Sequence, residues 1–192
     1  MHFIKLDFHS TNNLDDFITS WSKLYSYPLE EKYSKHITLC KFKSDDILEL
    51  FTWKNGMKLS TPKKESLNHK VLSKLDVINS FKQQKNIDVD SFKAEFMDLS
   101  AVWKIFLLHI VKPDEYPIYD QHIHRTYLFI TNQDWRNITN ASISNKKKEL
   151  FYFDEYYKFI NGNKIKDLRI MDKACFAFGQ FLKKYGDVFE TH

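Results

Sequence analysis

The chain has 192 residues, enough for one ordinary domain with a buried core, and only four glycines and four prolines. That is roughly a third of the ~12% the two types usually contribute, and Gly56, Gly162, Gly179 and Gly186 lie too far apart to build the glycine-rich loop of a Rossmann or P-loop nucleotide site. With 29 basic against 25 acidic residues and a net charge of +4, an anionic partner is permitted but not demanded.

Arg125, Arg136 and Arg169 are the only arginines. Lysine is a point charge rather than a bidentate fork, so any nucleic-acid contact is expected on phosphates rather than base edges. Cys40 and Cys175 stand far apart, leaving no Cys-x-x-Cys metal or iron–sulfur pattern. Charges interrupt the apolar run at 1–7, which has no cleavable leader pattern, and no stretch approaches the ~18 uncharged apolar residues of a membrane span. A soluble, cytoplasmic protein without a membrane partner is expected, in which the Asn-x-Ser/Thr matches at Asn137 and Asn140 carry no meaning.

Few turn formers together with 43% hydrophobic and 16% aromatic residues predict an all-α fold, a single compact helical domain over residues 1–192. In chain order, Leu14, Phe17, Ile18, Trp21 and Leu24 give helical spacing over 12–26. The stretch 35–42 contains a possible short strand, too isolated to found a sheet. A second helix runs from the Ser44-Asp45-Asp46 cap signal to the Asn55-Gly56 stop. A long one over 63–83 is expected to bury Leu67, Val71, Leu72, Leu75, Val77, Ile78 and Phe81, and a short one covers 90–97. The segment 99–111 has almost no polar face and reads as the central buried helix. Pro113 and Pro117 bound a tight connection, after which helices are expected from about 118, over 145–161 and over 166–185.

The richest chemistry lies in Asp120-Gln121-His122-Ile123-His124-Arg125, at the start of a helix. An aspartate there can simply cap the helix by accepting first-turn N–H bonds. The run also resembles the helix–hairpin–helix DNA glycosylase superfamily, in which a hairpin with an optional lysine is followed by an apolar helix and an Asp-x-His-[Val/Ile]-x-Arg sequence supplying the essential aspartate. Leu99-Ser100-Ala101-Val102-Trp103-Lys104 stands where the family has its hairpin, with Ala101 and Trp103 in or near the places of its glycines, and 105–111 stands for the apolar helix. The resemblance spans a core of about 98–131.

The resemblance implies a helix–hairpin–helix glycosylase-like core and cleavage of an N-glycosidic bond in damaged or modified DNA, on a nucleotide flipped out of the duplex. Asp120 would activate the nucleophile or stabilise positive charge on the sugar. Lys104, if neutral, could attack C1′ and add lyase activity. His122 and Arg125 would hold the adjacent phosphate, and Trp53, Trp103 and Trp135 are candidates for stacking on bases. No cofactor is implied. The alternatives are a non-catalytic DNA- or protein-binding module of the same fold and, last, a metal-dependent hydrolase using His109, Asp120, His122 and His124; helical phase turns His122 away from the Asp120–His124 face, so no metal site is expected. Lys146-Lys147-Lys148 with Lys164, Lys166, Arg169, Lys173, Lys183 and Lys184 could follow DNA phosphates or could simply be solvated helix faces.

Overall fold

A computed structural model describes residues 11–139 and 141–186; the leader reading at 1–7 and the sequence match at Asn140 lie outside them. Among the described residues the regular structure is helical, with no strand, and no helix is long and apolar enough to cross a membrane. Contacts group the chain into two compact units, one formed by Tyr27–Tyr116 and the other by the segments on either side of it.

The first described helix of the flanking-segment unit is α1 (Thr11–Ser22). The Tyr27–Tyr116 unit then contains α2 (Glu30–His36), α3 (Ser44–Asn55), α4 (Thr61–Lys70), α5 (Leu75–Gln83), α6 (Val89–Glu95) and α7 (Ala101–Val111). The apolar helix expected over 99–111 is α7, which starts behind Ser100: the serine hydroxyl accepts the Trp103 N–H at 3.4 Å. Ile105, Phe106, Leu107, Leu108, Ile110 and Val111 are all buried along it. His109 is buried with them, its Nδ1 2.7 Å from the Tyr116 carbonyl and its Nε2 2.7 Å from the Tyr33 hydroxyl. A carbonyl only accepts, so Nδ1 carries the proton and Tyr33 donates to Nε2.

Two expectations in this unit are corrected. The single helix over 63–83 is broken at Val71 and continues through a 3₁₀ turn (Leu72–Lys74) into α5. The Ser73 hydroxyl donates to the His69 carbonyl at 2.7 Å, a local bond that competes with the helical ladder. The possible strand at 35–42 is instead the end of α2 and a loop. Its backbone finds a substitute for a neighbouring strand: the Asn79 side chain accepts the Phe42 N–H at 2.7 Å and donates to the Phe42 carbonyl at 3.0 Å.

In the other unit, α8 (Gln121–Ile130) and α1 both pack on α11 (Leu168–Tyr185). The helix expected over 145–161 consists of α9 (Asn145–Leu150), a π-helical stretch (Phe151–Tyr156) and α10 (Tyr157–Gly162) in direct succession. A π-helical stretch is wider than an α-helix and is commonly found where a helix must re-aim side chains at a functional position. Here the buried rings of Phe151, Tyr152 and Tyr156 come from it.

Candidate functional site

The segment 117–120 enters α8 under constraint from several sides. The Tyr152 hydroxyl donates to the Pro117 carbonyl at 2.8 Å, and the Ile118 N–H donates to Asp172 Oδ2 at 2.9 Å. Asp172, on α11, is 1% exposed, so a carboxyl group has been withdrawn from water where it holds this backbone amide, at a desolvation penalty that hydrogen bonding must offset. Tyr119 is also buried, with its hydroxyl 2.9 Å from His124 Nδ1. Asp120 then takes an extended conformation, φ −153° and ψ 179°, as N-cap of α8.

The cap uses one carboxylate oxygen for two donors: Asp120 Oδ1 accepts the His122 N–H at 2.7 Å and the Ile123 N–H at 3.0 Å. No described residue donates to Oδ2, and Asp120 is partly exposed. The carboxylate is thus oriented through one oxygen while the other is available to take a proton or to face a developing cation.

Of the motif's remaining side chains, Ile123, His124 and Arg125 are buried and Gln121 and His122 are partly exposed. His124 lies flat on Phe151, ring centroids 3.6 Å apart and planes 12° from parallel. Burial, with the nearby Arg125 and Lys148 charges, lowers its pKa to about 4, so the imidazole is neutral near pH 7. Burial pushes the Tyr119 hydroxyl well above its ordinary range. Arg125, 3% exposed, donates from Nη1 to His122 Nδ1 and to the Gly179 carbonyl, each at 3.1 Å, and from Nη2 to the Ile138 carbonyl. Because arginine only donates, His122 Nδ1 carries no proton, and burial holds this imidazole's pKa below its ordinary value. His122 and Arg125, the residues expected to hold a phosphate, are engaged within the protein, one as a hydrogen-bond acceptor and the other as a buried clamp that links α8 to the Gly179 and Ile138 carbonyls.

Family models, curated proteins and solved structures were compared with the chain, and none matches.

Of the other expected site residues, Lys104, Trp103 and Trp53 belong to the Tyr27–Tyr116 unit and Trp135 to the flanking-segment unit. Lys104 is buried on α7. Trp103, half-exposed, lies edge-on to Phe51 at 5.1 Å, and its amide donates to the Ser100 hydroxyl in the first turn of α7. Trp53 is 3% exposed, packed against Tyr33 at 4.4 Å, with its indole N–H donated to Glu30 at 3.0 Å. Trp53, expected to contact DNA, is thus a buried, hydrogen-bonded indole of the core, and Trp135 is likewise buried. Among the described residues no group of three or more His, Cys, Asp or Glu could hold a metal ion.

Sequence reasoning missed Asp172, Tyr152 and the π-helical stretch. A signal for Asp172 existed: Leu168, Asp172, Cys175 and Gly179 follow one another at steps of four, three and four, so the acid occupies a buried phase of α11. Next to it, Tyr156 and Cys175 are wholly buried, and burial raises both pKa values.

Proposed function

We propose that this chain is a helix–hairpin–helix glycosylase-like protein that cleaves an N-glycosidic bond in DNA, with Asp120 as the acting carboxylate. Water attacks C1′ of a flipped nucleotide, the C1′–N bond breaks with its electron pair leaving on the base, and Asp120 takes the water proton or faces the sugar's positive charge. One observation carries the reading: the buried Asp172 carboxylate and the Tyr152 hydroxyl both hold the three residues that precede Asp120. An N-cap requires only its own local bonds, whereas orienting a carboxylate for chemistry requires a supporting shell of this kind.

The reading in which the fold binds without chemistry draws on Trp103, whose amide points to Ser100 rather than outward. Incubation with duplexes containing uracil, 8-oxoguanine or alkylated bases, followed by detection of abasic sites, separates the two. Asparagine caps a helix as well as aspartate does, so Asp120→Asn keeps the fold and is expected to abolish excision. Lack of processing of every lesion by the wild-type protein overturns the proposal.

A further inference from the structure

One face of α11 carries a row of cations past Asp120. From Arg169, steps of four, three and seven residues reach Lys173, Phe176 and Lys183. At ~100° per residue these four positions fall within an arc of about 80°, and at ~1.5 Å per residue the row is about 21 Å long. At one end Arg169 donates to the Tyr25 hydroxyl at 3.0 Å, and both its guanidinium and the Lys173 amine lie over the Tyr25 ring, at 5.1 and 5.4 Å. In the middle, Phe176 meets Tyr25 and His122 edge-on, at 5.6 and 5.0 Å. There the start of α8 crosses α11 at Gly179, and the His122 N–H is the one that binds Asp120 Oδ1. At the other end Lys183 is exposed and close enough for its charge to act on His122. The only acid within α11 is Asp172, and it faces inward to Ile118.

We propose that this face of α11, through Arg169, Lys173 and Lys183, binds the phosphate backbone of a nucleic-acid strand and leads it past Asp120. The charge row belongs to α11 whatever the chemistry at Asp120; the choice of nucleic acid among polyanions rests on the glycosylase reading. A straight row suits a linear polyanion, and with one phosphate per ~3.4 Å along each strand of a duplex, about 21 Å spans roughly six nucleotides. Tyr25, held between the two cations, fixes the end of the track by keeping both near one point.

Fluorescence anisotropy with an undamaged, labelled duplex of about 20 base pairs, titrated across a range of salt, tests this without requiring excision. Replacing Arg169, Lys173 and Lys183 together by Ala is expected to weaken binding at least tenfold at ~0.1 M salt and to reduce the slope of log K against log salt by roughly 2 to 3. Lys173→Glu combined with Lys183→Glu, which spares the Arg169–Tyr25 contact, is expected to do the same if the triple variant fails to fold. Replacing the exposed Lys146 and Lys147 of α9 by Ala removes two charges elsewhere and is expected to leave slope and affinity nearly unchanged. No measurable binding by the wild type, an unchanged slope in the α11 variants, or an equal loss in the α9 variant overturns the proposal. So does preferential binding to vesicles of phosphatidylserine and phosphatidylcholine, which would make the face a membrane contact. Binding lost in the α11 variants while no lesion is excised defeats only the glycosylase reading, and excision with α11-independent binding defeats only the track.

Discussion

The carbonyl oxygen of His122 lies 2.1 Å from the point where a Cβ on Gly179 would stand, with the His122 carbonyl carbon and Cα also within 3 Å. All three are backbone atoms of α8, so a side chain at 179 has to push the two helices apart. The same crossing carries the Arg125 hydrogen bond to the Gly179 carbonyl. Gly179→Ala is therefore expected to destabilise the protein by about 3 kcal/mol or more, at the severe end of overpacking, read as a fall in the urea midpoint. A wild-type midpoint in that variant would mean that α8 and α11 do not approach this closely.

His124 makes stability depend on pH. The unfolded imidazole titrates near 6.5, whereas the folded one, desolvated against Phe151 and near Arg125 and Lys148, titrates at about 4. Between these values the unfolded state binds a proton that the folded state refuses, so stability falls as pH drops through the window, by of order 3 kcal/mol in full. His124→Phe keeps a flat ring on Phe151 and has nothing to titrate. Urea unfolding at pH 4.5 and 7 is expected to show a smaller acid loss in the variant than in the wild type; equal losses would place the His124 pKa near its ordinary value.

Lys82 and Lys112 cap each other's helices. Lys82, on α5, donates to the Ile110 carbonyl near the end of α7 at 2.9 Å, and Lys112, just past α7, donates to the Gln84 carbonyl just past α5. Lys82 also lies over the Phe42 ring at 4.3 Å. Burial first, with Lys112 adding to it and Cys40 and Asp114 opposing, lowers its pKa to about 8. Between pH 8 and 10.5 the unfolded chain then binds more protons, so this group adds stability as pH rises through that window. NMR titration of the Lys82 side chain is expected to give a midpoint near 8, moving upward in Lys112→Gln. A midpoint near 10.5 would show the amine to be well solvated.

Helices were legible wherever apolar residues recur at a helical period, and the end of α3 was legible from Asn55-Gly56, since Gly56 adopts φ 72° as its C-cap. Asp120 was legible because its motif is local. Its support was not: Asp172 reaches Ile118 from 54 residues away, and in the sequence it is one acid among interspersed charges. The break at Val71 and the π-helical stretch were hidden for a related reason, as each depends on a hydrogen bond or a ring contact that leaves the apolar spacing intact. A cation in a motif suggests a ligand, yet three carbonyl or imidazole acceptors converge on Arg125 inside the unit, none of them visible in the local sequence.

The two bonds on the 117–120 segment give a prediction that separates cap from support. Asp172→Ala leaves the Ile118 amide buried without its acceptor, at a cost of about 1–3 kcal/mol, whereas Asp172→Asn retains an oxygen at that place. The asparagine variant is therefore expected to keep most of the stability that the alanine variant loses. The local consequence is sharper than the global one. Amide exchange at Ile118 should accelerate at least tenfold in Asp172→Ala, while the His122 and Ile123 amides, bonded to Asp120 itself, change less. Tyr152→Phe removes the other tether, at Pro117, and because both hold one short segment, the two substitutions should be non-additive in a double-mutant cycle. Additive effects, or an Ile118 amide that exchanges no faster without Asp172, would show that Asp120 is held by its helix alone.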